Sequence, residues 1–184
     1  VTSEISAYGE LQSSLETLRA SAATLKDQKD FSGTEVSTAS TAMSFSVTDV
    51  ADVGNYAIQV NSLAQRQQVA TGGFDTATTG IGDGSDITLS VSYQGVDTDL
   101  TVTDPTPQSV VSAINDSDLG LTARLVDDGS DTGAFKVVVS GESGADNSFT
   151  LTSSSASLDF PTTLTSATDA SITIDGLTVT RATN

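Results

Sequence analysis

Two aspartate clusters, Asp83-Gly84-Ser85-Asp86 and Asp127-Asp128-Gly129-Ser130-Asp131, are where the residue types and spacing of this chain could do chemistry. Carboxylates gathered in a glycine-containing loop are what Ca²⁺ takes as ligands, but neither cluster follows the EF-hand spacing, since no Glu closes the loop. Asp, Gly and Ser are also the residues that make turns, their side chains bonding the local backbone, and this is the reading the residues favour. A paired-carboxylate hydrolase would need two acids facing across a cleft, commonly beside aromatics that stack a sugar. Here the acids fall mostly in turn sequences, and Trp is absent. His and Cys are absent too, which removes the usual ligands of zinc, copper, haem and iron–sulfur centres and the His- and Cys-based nucleophile systems. None of Lys26, Lys29 and Lys136 forms a Ser–Lys motif, and no Gly-rich phosphate loop is present. No catalytic, cofactor-binding or metal-ligating residue is assigned, and the chain reads as a non-enzyme.

Charge narrows the partners. Over 184 residues, 7 basic side chains stand against 24 acidic ones, for a net charge of −17. Phosphate binding draws on clustered Lys and Arg, whereas Arg19, Lys26, Lys29, Arg66, Arg124, Lys136 and Arg181 are scattered, so nucleic acid is not a partner. No apolar run approaches the roughly 20 residues that span a bilayer, so membrane insertion is not expected. The opening VTSEISAYGE has neither the basic nor the apolar region of a signal peptide, and it suggests a piece of a longer chain. Abundant Ser, Thr, Gly and Asp with only 5% aromatics suit thin β-modules rich in turns.

What must position these residues is legible from periodicity. Residues 4–29 read as one helix, in which Tyr8, Leu11, Leu15, Leu18, Ala22 and Leu25 follow the alternating three-four spacing of a coiled-coil seam. A helix with so narrow a stripe needs a partner, and no comparable helix follows. Another chain, sequence beyond Asn184, or a β-sheet of this chain could supply it. From Ala42 the period becomes two: Met43, Phe45 and Val47, then Tyr56, Ile58 and Val60, as two strands around a turn. The tract Leu63 to Val69 is either a further extended segment or a short connector. Its amides Gln65, Gln67 and Gln68, with Arg66, suit a recognition face or a solvated connector equally, and its chemistry is that of a packing surface.

Gly72-Gly73 and residues 75–85 read as a linker. Beyond it the order is ββαβββ: strands around Ile87–Tyr93 and Leu100–Val102, a helix opened by Thr106-Pro107 and bearing Val110, Val111 and Ile114, then strands at Leu121–Leu125, Phe135–Gly141 and Phe149–Leu151. Near the end Ile172, Ile174, Leu177 and Val179 alternate around Asp175-Gly176, a hairpin signal. These last strands find their simplest partners near residues 43–60, which makes the ββαβββ module an insertion. The expected fold class is α+β, mostly β: a helix over 1–31, a discontinuous β-rich domain over 32–77 and 161–184, and an inserted α+β domain over 78–160.

Several segments together resemble a known family. LETLRASAATLKDQKDF resembles the first helical stretch of bacterial flagellar filament-cap proteins, the hook-associated protein 2 family. NYAIQVNSLAQRQQVATGGF, with Leu63, Ala64, Gln65 and Gln67, resembles their entry into the head, and ASITIDGLTVTRATN resembles the return from it. SVVSAINDSDLGLTARLVDDG resembles the flagellin-hook IN motif, with Ile114-Asn115 as the namesake pair. The resemblance implies a leg helix carrying β-rich head domains, with returning leg helices beyond Asn184 and the helix seam as the assembly interface. It implies self-association into a ring at the filament tip that guides flagellin subunits into place, and surface or host glycans as a further class of partner. It also implies an extracellular location reached through the flagellar type III export channel, without a cleaved signal peptide. The alternatives are a flagellin or other axial protein with an IN-type domain, and an extracellular adhesive or Ca²⁺-binding β-module.

Overall fold

A computed structural model of the chain describes residues 2–24, 36–38, 40–41, 43–45 and 54–184, which fall into two units, Val1–Asn55 and Tyr56–Asn184. In the first, helix α1 spans Thr2–Thr24. Ser14 and Thr17 donate their hydroxyls to the carbonyls of Glu10 and Ser13 one turn back, so these polar side chains are satisfied within the helix. The remainder of the expected helix, with Leu25, Lys26 and Lys29, lies outside the described residues, as does Val47. Met43–Phe45 form no strand.

The second unit begins with a small antiparallel sheet of β1 (Ile58–Ser62), β9 (Ala170–Ile174) and β10 (Leu177–Arg181), in the order β1-β9-β10. Its register aligns Ile58, Ile174 and Leu177 in one row and Val60, Ile172 and Val179 in the next, so the alternation read from the sequence places six aliphatics on one face. The hairpin turns at Asp175-Gly176, both at positive φ (48° and 87°), which the two-residue turn requires and which Asp and Gly tolerate best. Asp175 also accepts the Ala57 N–H through Oδ1 at 2.8 Å, tying the turn to the strand entry.

The larger module has two further sheets. One contains β5 (Thr122–Asp127), β6 (Phe135–Ser143), β2 (Arg66–Ala70) and β8 (Thr162–Thr165), in the order β5-β6-β2-β8. The other contains β4 (Val96–Val102), β3 (Ile87–Tyr93) and β7 (Phe149–Ser153), in the order β4-β3-β7. Helix α2 (Pro107–Asn115) completes the expected ββαβββ order, capped as its sequence indicates. The Thr106 hydroxyl accepts the Ser109 N–H at 3.1 Å, the Ser109 hydroxyl accepts the Thr106 N–H at 2.8 Å, and Pro107 opens the first turn. One core joins all three layers: Leu89 and Val91 of β3, Val110 and Ile114 of α2, Val137 and Val139 of β6, and Phe149 of β7, each almost fully buried. The α+β, mostly β class is what the chain adopts.

Three expectations need correcting. The sheets divide differently from boundaries at 77/78 and 160/161, because β2 pairs with β6 on one side and with β8 on the other, inside the larger module. The chain crosses from the small sheet at Leu63–Gln65 and returns by Ser166–Asp169. The segment 75–85 is no linker: Ile81 is 1% exposed, its N–H bonds the Pro105 carbonyl at 2.8 Å, and Ala77 accepts the Gln108 N–H at 3.0 Å. One buried aliphatic among polar turn residues outweighed the glycines around it. Finally, β6 continues through Gly141 to Ser143, because residues past the glycine still pair with β2.

Candidate functional site

Along α1, Tyr8, Leu11, Leu15 and Leu18 are 74%, 56%, 56% and 64% exposed. Their spacing sets them on one face with Ala22, also exposed, and a shallow groove runs between them beside Gln12, Glu16 and Arg19. Fully burying one leucine is worth roughly 1.5–3 kcal/mol, so the seam is a surface with a strong drive to be covered. Leu25, the last expected seam position, lies outside the described residues.

Most of the tract after β1 is tied into the fold. Leu63 is 60% exposed, whereas Ala64 is 7% exposed and held by the Asn184 side chain, whose Oδ1 accepts the Ala64 N–H at 2.7 Å and whose Nδ2 donates to the Ala64 carbonyl at 3.2 Å. Gln65 pairs with Thr168 through both backbone groups, at 2.9 and 3.1 Å. Gln67 reaches across to β7, where its Oε1 accepts the Phe149 N–H at 2.9 Å and its Nε2 donates to the Phe149 carbonyl at 2.8 Å. Gln68 donates to the Ser140 hydroxyl at 3.0 Å. Gln67 and Gln68 are therefore committed inside the module and are not a recognition face.

Ile114-Asn115 works the same way. Ile114 is 1% exposed in the core, and Asn115 clasps the backbone of Ala123 on β5, accepting its N–H at 2.8 Å and donating to its carbonyl at 3.0 Å. β5 is an edge strand, and the carboxamide supplies the donor and acceptor that a neighbouring strand would have given. Three amides thus act as one-residue strands: Asn115 on Ala123, Gln67 on Phe149 and Asn184 on Ala64. Sequence reading named the first two residues without this role and missed the third. No local pattern marks them, because each bond joins positions distant in the chain or across a turn.

The aspartate loops are turns. Oδ1 of Asp83, Asp127 and Asp128 accepts the N–H two residues on, from Ser85, Gly129 and Ser130, at 2.9 to 3.0 Å. Asp128 also pairs with Lys136, and that ammonium first, then Ser130, holds its carboxyl at about 2. The Ser85 N–H likewise lowers Asp83. Among the described residues no group of three metal-ligating side chains comes together, and no helix is long and apolar enough to cross a membrane.

Comparison with known proteins bears on the family and the fold. The family described as flagellar hook-associated protein 2 N-terminus matches residues 1–67. Flagellar hook-associated protein 2 of Escherichia coli (strain K12) is 31% identical over 156 residues, 82% of this chain and 33% of that protein. The chain thus spans about a third of the length of the curated relatives it matches. Among solved structures, the D1-D2-D3 domains of the flagellar cap protein FliD from Escherichia coli superpose with a TM-score of 0.72 at 25% identity, over 97% of this chain and 55% of that one. The D2-D3 domains of the same protein give 0.69 at 23% identity, over 79% and 83%. The class defined by this fold is that of the flagellar cap proteins, whose D2-D3 head domains the sheets reproduce. The chain belongs to the flagellar hook-associated protein 2 family.

Proposed function

We propose that the chain is part of a structural cap at the distal tip of a bacterial flagellar filament, where copies associate into a ring and promote assembly of flagellin subunits without catalysis. The observation that carries this reading is the α1 seam, because Tyr8, Leu11, Leu15 and Leu18 form an exposed apolar stripe that only another helix of matching spacing covers efficiently. Family membership supplies the context in which such a helix belongs to a leg. In this proposal α1 is the leg, the small sheet is the first head domain and the module between Gln65 and Thr168 is the second. The protein leaves the cell by the flagellar export channel and works outside it. The acidic surface suits a chain that must not associate promiscuously during that passage.

Immunogold microscopy of native filaments tests this, using antibody raised against residues 78–160. Gold is expected at filament tips alone. Gold along the whole length would make the chain a flagellin-like axial protein, and filaments free of gold would remove it from the flagellum.

A further inference from the structure

We propose that the junction between the small sheet and the larger module is a lock, with the Asn184 carboxamide as its bolt, so that both halves of the 56–184 unit move as one body. The chain crosses this junction twice, at Leu63–Gln65 and Ser166–Asp169, through short non-regular segments. Two such crossings side by side are where a hinge would form, because a few element-terminal residues suffice to absorb the rotation. Here they are bound together. The Gln65 N–H donates to the Thr168 carbonyl at 2.9 Å, and the Gln65 carbonyl accepts from both Thr168 and Gly144, at 3.1 and 3.2 Å. Asp169 Oδ1 accepts the Ala145 N–H at 2.7 Å, joining the returning crossing to the turn after β6.

The third tie comes from beyond β10. Asn184 bonds both backbone groups of Ala64, so the tail of the small sheet grips the outgoing crossing at its centre. The tail reaches that place over Gly144. A Cβ on Gly144 would lie 2.6 Å from the Ala182 Cβ, closer than atoms approach, and its φ of 105° is also one that only glycine adopts at ease. Glycine at 144 lets the tail lie flat on the larger module, and Asn184 then fastens it. Rotation of one half against the other would have to break the bonds at Ala64, Gln65, Ala145 and Thr168 together. The inference stands on this junction alone and does not depend on the capping role.

The chain has no native cysteine, so a nitroxide pair introduced at Thr178→Cys on β10 and Asp97→Cys on β4 reports the relative position of the two halves in the full chain. Pulsed EPR should give a narrow distance distribution, and Asn184→Ala should broaden it about twofold. In the same variant, amide exchange at Gln65, Thr168 and Ala145, whose N–H groups bond partners other than residue 184, should rise about tenfold, since the opening free energy of the junction falls as a unit. Asn184→Asp keeps the acceptor for the Ala64 N–H but loses the donor, and should fall between. Gly144→Ala should reproduce the Asn184→Ala result by displacing Ala182. Should Gly144→Ala fail to fold, Asn184→Ala decides, since it removes only an exposed amide. An unchanged distance distribution, with faster exchange confined to Ala64, would overturn the lock.

Discussion

Replacing Asn115 by Ala tests whether the IN pair is architecture or recognition. Ala123 is 4% exposed, and its N–H and carbonyl both depend on the Asn115 amide, at 2.8 and 3.0 Å. Losing the acceptor strands a buried N–H at a cost of about 1–3 kcal/mol, and losing the donor removes a bond worth about 0.5–1.5 kcal/mol. Alanine returns about 0.5 kcal/mol through better helix propensity at the end of α2. The net is a destabilisation of about 1–4 kcal/mol, or roughly 4–15 °C in Tm for a unit of this size. Thermal unfolding followed by circular dichroism reads it directly. Asn115→Asp, which keeps only the acceptor, should lose a substantial part of the same stability. A fall of less than about 2 °C in Asn115→Ala would refute the reasoning, since water would then be reaching Ala123 at the sheet edge as readily as the amide does.

Other perturbations have distinct signatures. Gln67→Ala should destabilise by about 2 kcal/mol in urea titration and speed amide exchange at Phe149, because it removes the clasp between β2 and β7. Tyr93→Phe should leave stability unchanged or raise it by up to about 1 kcal/mol, since the Tyr93 hydroxyl is buried without a hydrogen-bond partner among the described residues while its edge-to-face contact with Phe149, at 6.4 Å, is kept. A clear loss of stability there would expose a missing partner. Lys136→Met should raise the Asp128 pKa from about 2 toward the ordinary carboxylate value, followed by carboxyl NMR titration. Because folding depresses that pKa, the stabilisation is complete above the unfolded value of 3.8 and is lost as pH falls through about 2; Lys136→Met should flatten this acid limb. Leu15→Asp with Leu18→Asp should abolish leg packing in the full-length protein, read by sedimentation, while the head unfolds at its usual temperature. Unaltered helicity and assembly would contradict the seam.

What could be read from the linear chain was whatever depends on near neighbours. The three-four spacing from Tyr8 to Ala22 produced a helix face, the alternation of Ile172 to Val179 around Asp175-Gly176 produced a hairpin, and Thr106-Pro107 produced a capped helix start. Each rests on contacts within a few residues. The turn role of Asp83, Asp127 and Asp128 was legible for the same reason, since an aspartate that bonds the backbone two residues on needs no distant partner.

The rest was decided by burial and by pairing over long separations. A polar tract such as Arg66-Gln67-Gln68 becomes a strand only because β6 and β8 flank it and Phe149 accepts its amide. Residues 75–85 have the composition of a linker, yet Ile81 sits in the core, because one buried aliphatic can anchor a segment that glycines would otherwise free. The junction at Ala64 is invisible in the chain, since Asn184 and Gly144 lie far from it along the sequence. Local spacing specifies periodicity, and periodicity specifies elements. Which element meets which, and which amide closes the gap between them, depends on free energy gained only once the core has brought distant backbone groups within hydrogen-bonding range.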